Sequence, residues 1–221
     1  MLLNQSLESP NLKSLELVTG PASLAVSVSE LKNALRIDAS VTTDDALLTD
    51  CINAATSVLE KTFGLALISQ TWRLWLDRWP SLKDYLPPYS HQSAAFVLSE
   101  VKALSPGVSL AMHPVSAITH IKVYDDDGVA VTFASSGYFL DSSQKASRAV
   151  LNANNFQWPT GDLRSAKAIE IQFVAGFSPL PAELKMGVMS FAMSIYQSRG
   201  CSNAIPAGVY SLFQPYAAAR L

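Results

Sequence analysis

Residues 180–199 read LPAELKMGVMSFAMSIYQSR, and this stretch decides the fold. Pro181 sits where a first-turn proline is tolerated, since its missing N–H would be an orphan in any case. Glu183 follows on the favourable side of the helix dipole, and Arg199 closes the other end with Gly200 as the stop. At about 100° per residue, Leu184, Val188, Phe191 and Ile195 form one apolar stripe. Met186, Met189, Met193 and Tyr196 form a second, roughly opposite. Glu183, Gly187, Ser190, Ser194 and Gln197 make a polar arc between them. A surface helix needs only one apolar stripe. The second therefore calls for a cover, supplied by another part of this chain or by a neighbouring subunit. Met186, Met189, Met193 and Tyr196 are the candidate subunit interface.

Working outward towards the N-terminus, Ser27-Val28-Ser29-Glu30 has the spacing of a capping box, in which Ser27 accepts from a first-turn N–H and Glu30 reaches back. A short helix to about Arg36 follows, buried through Leu31, Leu35 and Ile37. Thr42 or Thr43 then caps a longer helix, residues 44–63, with Asp44 and Asp45 at its positive end. Leu47, Leu48, Cys51, Ile52, Ala54, Ala55, Val58, Leu59 and Phe63 cover about half of its circumference, and Gly64 stops it. Residues 1–26 read as an extended arm.

After Gly64 the period changes from helical to alternating. Residues 69–79 place Trp72, Leu74 and Leu76 on one face of a strand and Arg73, Trp75 and Asp77 on the other. Residues 81–107 read as a long loop with short strands near 95–98 and 100–104. Further strands are expected at 108–112, 118–124, 129–133, 138–140, 149–151 and 168–175, with Asp125-Asp126-Asp127-Gly128 as a hairpin turn. The tail, 201–221, holds a short helix near 209–213.

The order helix, helix, strands, helix predicts an α+β fold. Two N-terminal helices and the long C-terminal helix form a small helical bundle, and an antiparallel β-rich domain is inserted between them. The expected organisation is an arm (1–26), a helical core (27–66 and 178–200), an inserted β-rich domain (67–177) and a C-terminal docking tail (201–221).

Charge and composition narrow the function by exclusion. The net charge of −2 provides no basic footprint for nucleic acid. The charge is uneven: residues 1–66 carry 4 basic and 8 acidic side chains, and residues 178–221 carry 3 and 1. Cys51 falls on an apolar helix face and reads as a buried thiol; with Cys201 it makes no disulfide framework or zinc pattern. His91, His113 and His120 show no metal-site spacing. The acidic turn at Asp125 lacks a carboxylate at the twelfth position of a calcium loop, where Ser136 stands. Nucleophile elbows, phosphate loops and dinucleotide fingerprints are absent. The first twenty residues lack a secretory signal pattern, and no run approaches the length of a membrane span. The residues read as a non-enzymatic protein with surplus apolar surface, with no catalytic, cofactor or metal residues assigned.

A series of blocks in fixed order resembles the gp6-like head–tail connector (adaptor, or head completion) proteins of tailed bacteriophages. They are Ser29-Glu30-Leu31-Lys32 with Leu35-Arg36-Ile37-Asp38, then Asp44-Asp45-Ala46-Leu47-Leu48 with Ile52, Ala54-Ala55 and Glu60. Gly64 to Trp72 follows, with Leu76-Asp77-Arg78-Trp79-Pro80. Later come Pro114-Val115, Ile118, Val123-Tyr124-Asp125, Asp127-Gly128, Tyr138, Trp158-Pro159, Val174-Ala175-Gly176-Phe177, Pro181, Leu184, Tyr196 and Ser198-Arg199. The match spans about residues 26–221. Two places depart from the pattern: residues 81–107 are longer, and Ser198-Arg199-Gly200-Cys201 stands where many members continue with acidic residues.

The resemblance implies a virion protein of the neck, assembled in the host cytoplasm as a ring of about a dozen copies. Such a ring sits below the portal protein, extends the channel for double-stranded DNA and links to a stopper or tail-completion protein. In that setting Asp50 and Glu60 are candidate channel-facing residues, because like charge keeps DNA from sticking. Phe213, Pro215, Tyr216 and Arg220 are candidate portal-docking anchors. The alternative is a tail or baseplate module whose β domain binds a receptor or glycan on an aromatic platform of Trp72, Trp75, Trp79 and Tyr124.

Overall fold

Ser27 starts the first helix as its spacing predicts. Its Oγ accepts the Glu30 N–H at 3.3 Å, and the Glu30 carboxylate accepts the Ser27 N–H at 3.0 Å. The helix α1 spans Val28–Leu35 and ends at Arg36, held in a left-handed conformation (φ 59°). This computed structural model describes residues 13–80, 107–142, 147–152, 158–159, 161–199 and 204–217. Helix α2 spans Asp45–Phe63. Neither threonine caps it: Asp44 occupies the N-cap without a side-chain cap bond, because its carboxylate accepts the Tyr196 hydroxyl at 2.6 Å instead. Gly64 ends α2 at φ 67°.

The decisive stretch forms α3, Ala182–Gln197, with Pro181 at the N-cap rather than inside the first turn. Pro206 plays the same part for a fourth helix, α4, Ala207–Phe213. Helices α2 and α3 pack antiparallel. The start of α2 meets the end of α3 at the Asp44–Tyr196 hydrogen bond. The end of α2 lies beside Phe213 (Phe63–Phe213 ring centroids 5.2 Å apart), and Phe213 in turn covers Gly187 in the first half of α3. Helix α1 is tied on by two ion pairs: Lys32 to Asp45 at 2.5 Å and Lys185 to Glu30 at 2.6 Å. Lys32 is buried, so its pair with Asp45 keeps a charge from standing alone in an apolar setting.

Among the described residues eight strands build the sheets, the first from before the helices and the other seven from the insertion. They are β1 (Lys13–Thr19), β2 (Gln70–Leu76), β3 (Val108–Ser109), β4 (Val115–Tyr124), β5 (Ala130–Thr132), β6 (Tyr138–Asp141), β7 (Arg148–Leu151) and β8 (Ile169–Ala175). Five make an antiparallel sheet in the order β1-β2-β8-β4-β5, and three make a second in the order β3-β7-β6. The fold is therefore α+β, a helical bundle with an inserted antiparallel β-rich part. Residues 13–19, expected within an arm, form the edge strand of the larger sheet, with Glu16 opposite Arg73; residues 1–12 and the loop and short strands expected within 81–106 lie outside the described residues. The Asp125–Gly128 turn is as expected: the Gly128 N–H reaches the Asp125 carbonyl at 3.0 Å, and the Val129 N–H reaches the Asp125 carboxylate at 2.7 Å.

Apolar burial falls into two clusters. One lies between the two sheets and includes Leu74, Leu76, Leu110, Ile121, Ile169, Ile171 and Phe173. The other lies among the helices and includes Leu31, Leu48, Ile52, Leu59, Leu184, Val188, Phe191 and Phe213. The chain passes between them at two neighbouring points. Leaving α2, Leu65 bridges to His113 and Ile68 to Phe177. Returning to α3, Gly176 lies so close that a Cβ there would sit 2.4 Å from the Ile68 carbonyl carbon; its φ of 138° also requires glycine.

Candidate functional site

The face of the large sheet turned away from its core is polar at its centre, and its charges there pair with one another. Glu170 stands on the central strand β8, pointing opposite to Ile169 and Ile171. Arg73 Nε lies 3.0 Å and His120 Nε2 3.0 Å from its Oε1, and the Tyr124 hydroxyl donates to Oε2 at 2.5 Å. The Glu170 side chain is only 4% exposed. Burial pushes its pKa up, but the hydrogen bonds from Tyr124 and His120 and the charge of Arg73 more than offset this and hold it below the usual range. Burial and the adjoining carboxylate raise the Tyr124 phenol. Arg164 lies over the Tyr124 ring at 4.1 Å and the Trp75 ring at 5.6 Å, donating from Nε and an Nη to the Lys167 carbonyl. Trp75 Nε1 donates to Glu16 at 3.2 Å. The Glu170 carboxylate is thus held by side chains from β2 and β4, and this arrangement ties β2, β8 and β4 together.

The aromatic residues of the alternative reading do not form one platform. Trp72 packs against the sheet core, and Trp79 is buried on Trp158 with ring centroids 4.2 Å apart. Only Trp75 and Tyr124 share the outer face, 5.8 Å apart.

The helical layer is different. Its inner stripe is buried as expected at Leu184, Val188 and Phe191. Gly187, expected on the polar arc, is buried instead, because α4 lies across it: a Cβ there would come 2.5 Å from Phe213 Cε2. The second stripe divides. Met189, Met193 and Tyr196 are half-buried against the helical cluster, whereas Met186 is 57% exposed. On α2, Leu47 is 50% exposed, with Asp50, Ala54 and Lys61 also on the solvent side.

The other sequence-derived residues separate in the same way. Asp50 is exposed. Glu60 is half-buried and committed within the chain, its Oε1 accepting the Leu67 N–H and Gln70 Nε2, both at 2.8 Å; burial raises its pKa despite these bonds. Phe213, expected as a docking anchor, is fully buried beneath α3 and is part of the core. Pro215 is exposed and Tyr216 half-buried, its ring edge-on to Phe177 at 5.9 Å; Arg220 lies outside the described residues. Cys51 is the buried thiol its helical position predicts, with its pKa raised by burial. Among the described residues no cluster of His, Cys, Asp and Glu could hold a metal ion, and no helix is long and apolar enough to cross a membrane. The Glu170 network is not evident from sequence; its signal is the alternation of Glu170 and Gln172 with Ile169, Ile171 and Phe173 along β8.

Comparison with protein-family models and with curated proteins finds no match. Solved structures are more informative. The chain is 26% identical to a chain in the neck of an empty gene transfer agent particle computed with sixfold symmetry, with a TM-score of 0.70 over 94% of this chain and 97% of that one. It is 25% identical to a chain in the virion of the native particle, with a TM-score of 0.69 over 94% and 96%. A third likeness is to the native neck computed with twelvefold symmetry, at 26% identity and a TM-score of 0.65 over 94% and 97%. The fold and this end-to-end likeness define the class: a structural neck protein of a phage-like virion.

Proposed function

We propose that this chain is a head–tail connector, an adaptor that forms a ring of about twelve copies beneath the portal and carries the DNA channel towards the tail. The observation that carries the reading is the likeness over nearly the full length of both chains to components of necks with sixfold and twelvefold symmetry. The ordered blocks that resemble gp6-like connectors support the same role. Met186, with the half-buried Met189, Met193 and Tyr196 beside it, forms one side of the contact between copies. Asp50 faces the channel, where double-stranded DNA passes without sequence-specific binding; Glu60, held by Leu67 and Gln70, shapes the α2–β2 corner instead. Pro215, Tyr216 and Arg220 dock on the portal, while Phe213 secures the helix that presents them. A stopper or tail-completion protein binds the opposite side of the ring, and the assembly takes place in the host cytoplasm.

Native mass spectrometry tests this, using the protein alone and mixed with the portal protein of the same genome. A chain that is monomeric alone and reaches about twelve copies on a portal ring supports the reading. Failure to bind an intact portal overturns it. The glycan-binding alternative is less favoured, because Trp79 is buried in the sheet core and Trp72 packs against it, away from Trp75 and Tyr124.

A further inference from the structure

A ring built by rotation joins unlike patches: one surface of each copy meets a different surface of the next. The exposed large apolar side chains offer two pairs of opposed surfaces. The first pair is the two edges of the large sheet, with Leu15, Leu17 and Val18 on β1 and Val129 and Val131 beside β5. Joining these edges would run the sheet continuously around the ring. Sheet twist prevents it: about 20 to 25° per strand step turns β5 by about 80 to 100° from β1, whereas a twelvefold rotation turns neighbours by only about 30°. The edges would cross instead of pairing.

The second pair is helical. Leu48, Cys51, Ile52, Ala55 and Leu59 of α2 and Leu184, Val188 and Phe191 of α3 share one buried cluster. The outward faces of the two helices therefore lie on opposite sides of the layer. The α3 face carries Met186 and Ser190, with Glu183 at its start. The α2 face carries Leu47 and Ala54, with Lys61 near its end. Because α2 and α3 run antiparallel within a copy, they also run nearly antiparallel between copies related by a small rotation. In the antiparallel register that pairs Glu183 with Lys61, Met186 falls beside Val58 and Ser190 against Ala54, where two small side chains allow close approach. Neither Glu183 nor Lys61 has an ion-pair partner among the described residues. On the helical wheel, Asp50 and Asn53 lie to one side of this strip.

We infer that neighbouring copies of this chain join through the outward face of α3 on one copy and the Leu47–Ala54–Lys61 strip of α2 on the next, with Glu183 paired to Lys61. The contact deepens the ring reading above and rests on it. Assembly on the portal, followed by native mass spectrometry across a concentration series, tests it with E183K and K61E chains. Each variant alone places like charges at every contact and weakens each by about 3- to 10-fold. An equimolar mixture restores assembly, because alternating copies meet with opposite charges throughout. M186D provides an independent probe at an exposed position and weakens each contact by about tenfold or more, with an unchanged circular dichroism spectrum. If wild-type rings form, and both variants, their mixture and M186D assemble as wild type does, the contact is overturned and the ring stands. If the wild-type chain forms no ring on an intact portal, both readings fall.

Discussion

The two apolar clusters are finished to different degrees. The sheet cluster is covered at its centre on both sides: the second sheet lies on the inner face of the large one and the Glu170 network on the outer face, while Leu15, Leu17, Val18, Val129, Val131 and Phe139 stay exposed on or beside edge strands. The helical cluster is finished only inward. Its outer surface keeps Leu47, Met186 and Tyr210 about half exposed. A face whose charges are already paired has little to gain from a partner. A half-exposed apolar face still has burial to gain, about 25 cal/mol for each Å². The contrast supports the proposal that copies meet through the helices, with the exposed apolar residues of the sheets confined to their edges.

All four tryptophans, Trp72, Trp75, Trp79 and Trp158, belong to the sheet part, and most helical circular dichroism comes from the other part, so the two clusters can be followed separately. The largest expected effect is from F213A. Removing a fully buried ring from beneath α3 costs about 3 to 5 kcal/mol. Ellipticity at 222 nm should melt early while tryptophan emission melts later; coincident melting would show that the clusters unfold as one unit. Truncation after Ala207 should do the same, since it removes both Val209 and Phe213 from the core. Loss of portal binding in that truncation would therefore report unfolding as well as docking.

Next in size is G176A, at about 3 kcal/mol, because a Cβ clashes with the Ile68 backbone at a left-handed φ. This residue joins the clusters, so both signals should shift together. E170A should cost somewhat less, about 2 kcal/mol, by removing the buried acceptor shared by Tyr124, His120 and the half-buried Arg73, which keeps Glu16 at 3.5 Å. Here tryptophan emission should shift first, which would make the outer network part of the sheet's stability. An early change at 222 nm alone would contradict the comparison.

Smaller effects belong to α1. S27A removes the cap and should cost about 1 kcal/mol in chemical denaturation. The Lys185 ammonium first, and then the Ser27 backbone and hydroxyl, hold the Glu30 pKa at about 2, against an ordinary value of 4.5. The folded carboxyl is the stronger acid, so its contribution is complete above about pH 4.5 and is lost as the pH falls towards 2. E30Q should flatten stability between those values by a small amount, because the pair is half exposed and solvent screens it. An unchanged acid limb in E30Q would show that the pair does not stabilise the fold.

Elements with strong local signals were legible. The capping box at Ser27, the stop at Gly64, the alternation of Leu74 and Leu76 against Arg73 and Trp75, and the Asp125–Gly128 turn all depend on residues a few positions apart. Errors arose where a distant neighbour decided. Asp44 gave its carboxylate to Tyr196 rather than to its own helix end. Gly187 falls on the polar arc of its own helix, and only α4, lying across it, makes it buried. Phe213 has the appearance of a docking anchor, and aromatic residues serve equally well in a core and at an interface; only its position beneath α3 assigns it. Residues 13–19 carry a weak strand pattern, and β2 supplies the edge on which they pair.

By itself, the sequence determined the α+β class, the order of the described elements from α1 onward, the inward stripe of α3 and the absence of a familiar catalytic pattern, because period, caps and spacing are local properties of the chain. The tertiary structure alone decided which acids are exposed, which aromatics are buried and which helix faces remain open. Exposure is a property of what lies across from a side chain, and at Glu60, Glu170 and Phe213 the residues across come from different elements of the fold.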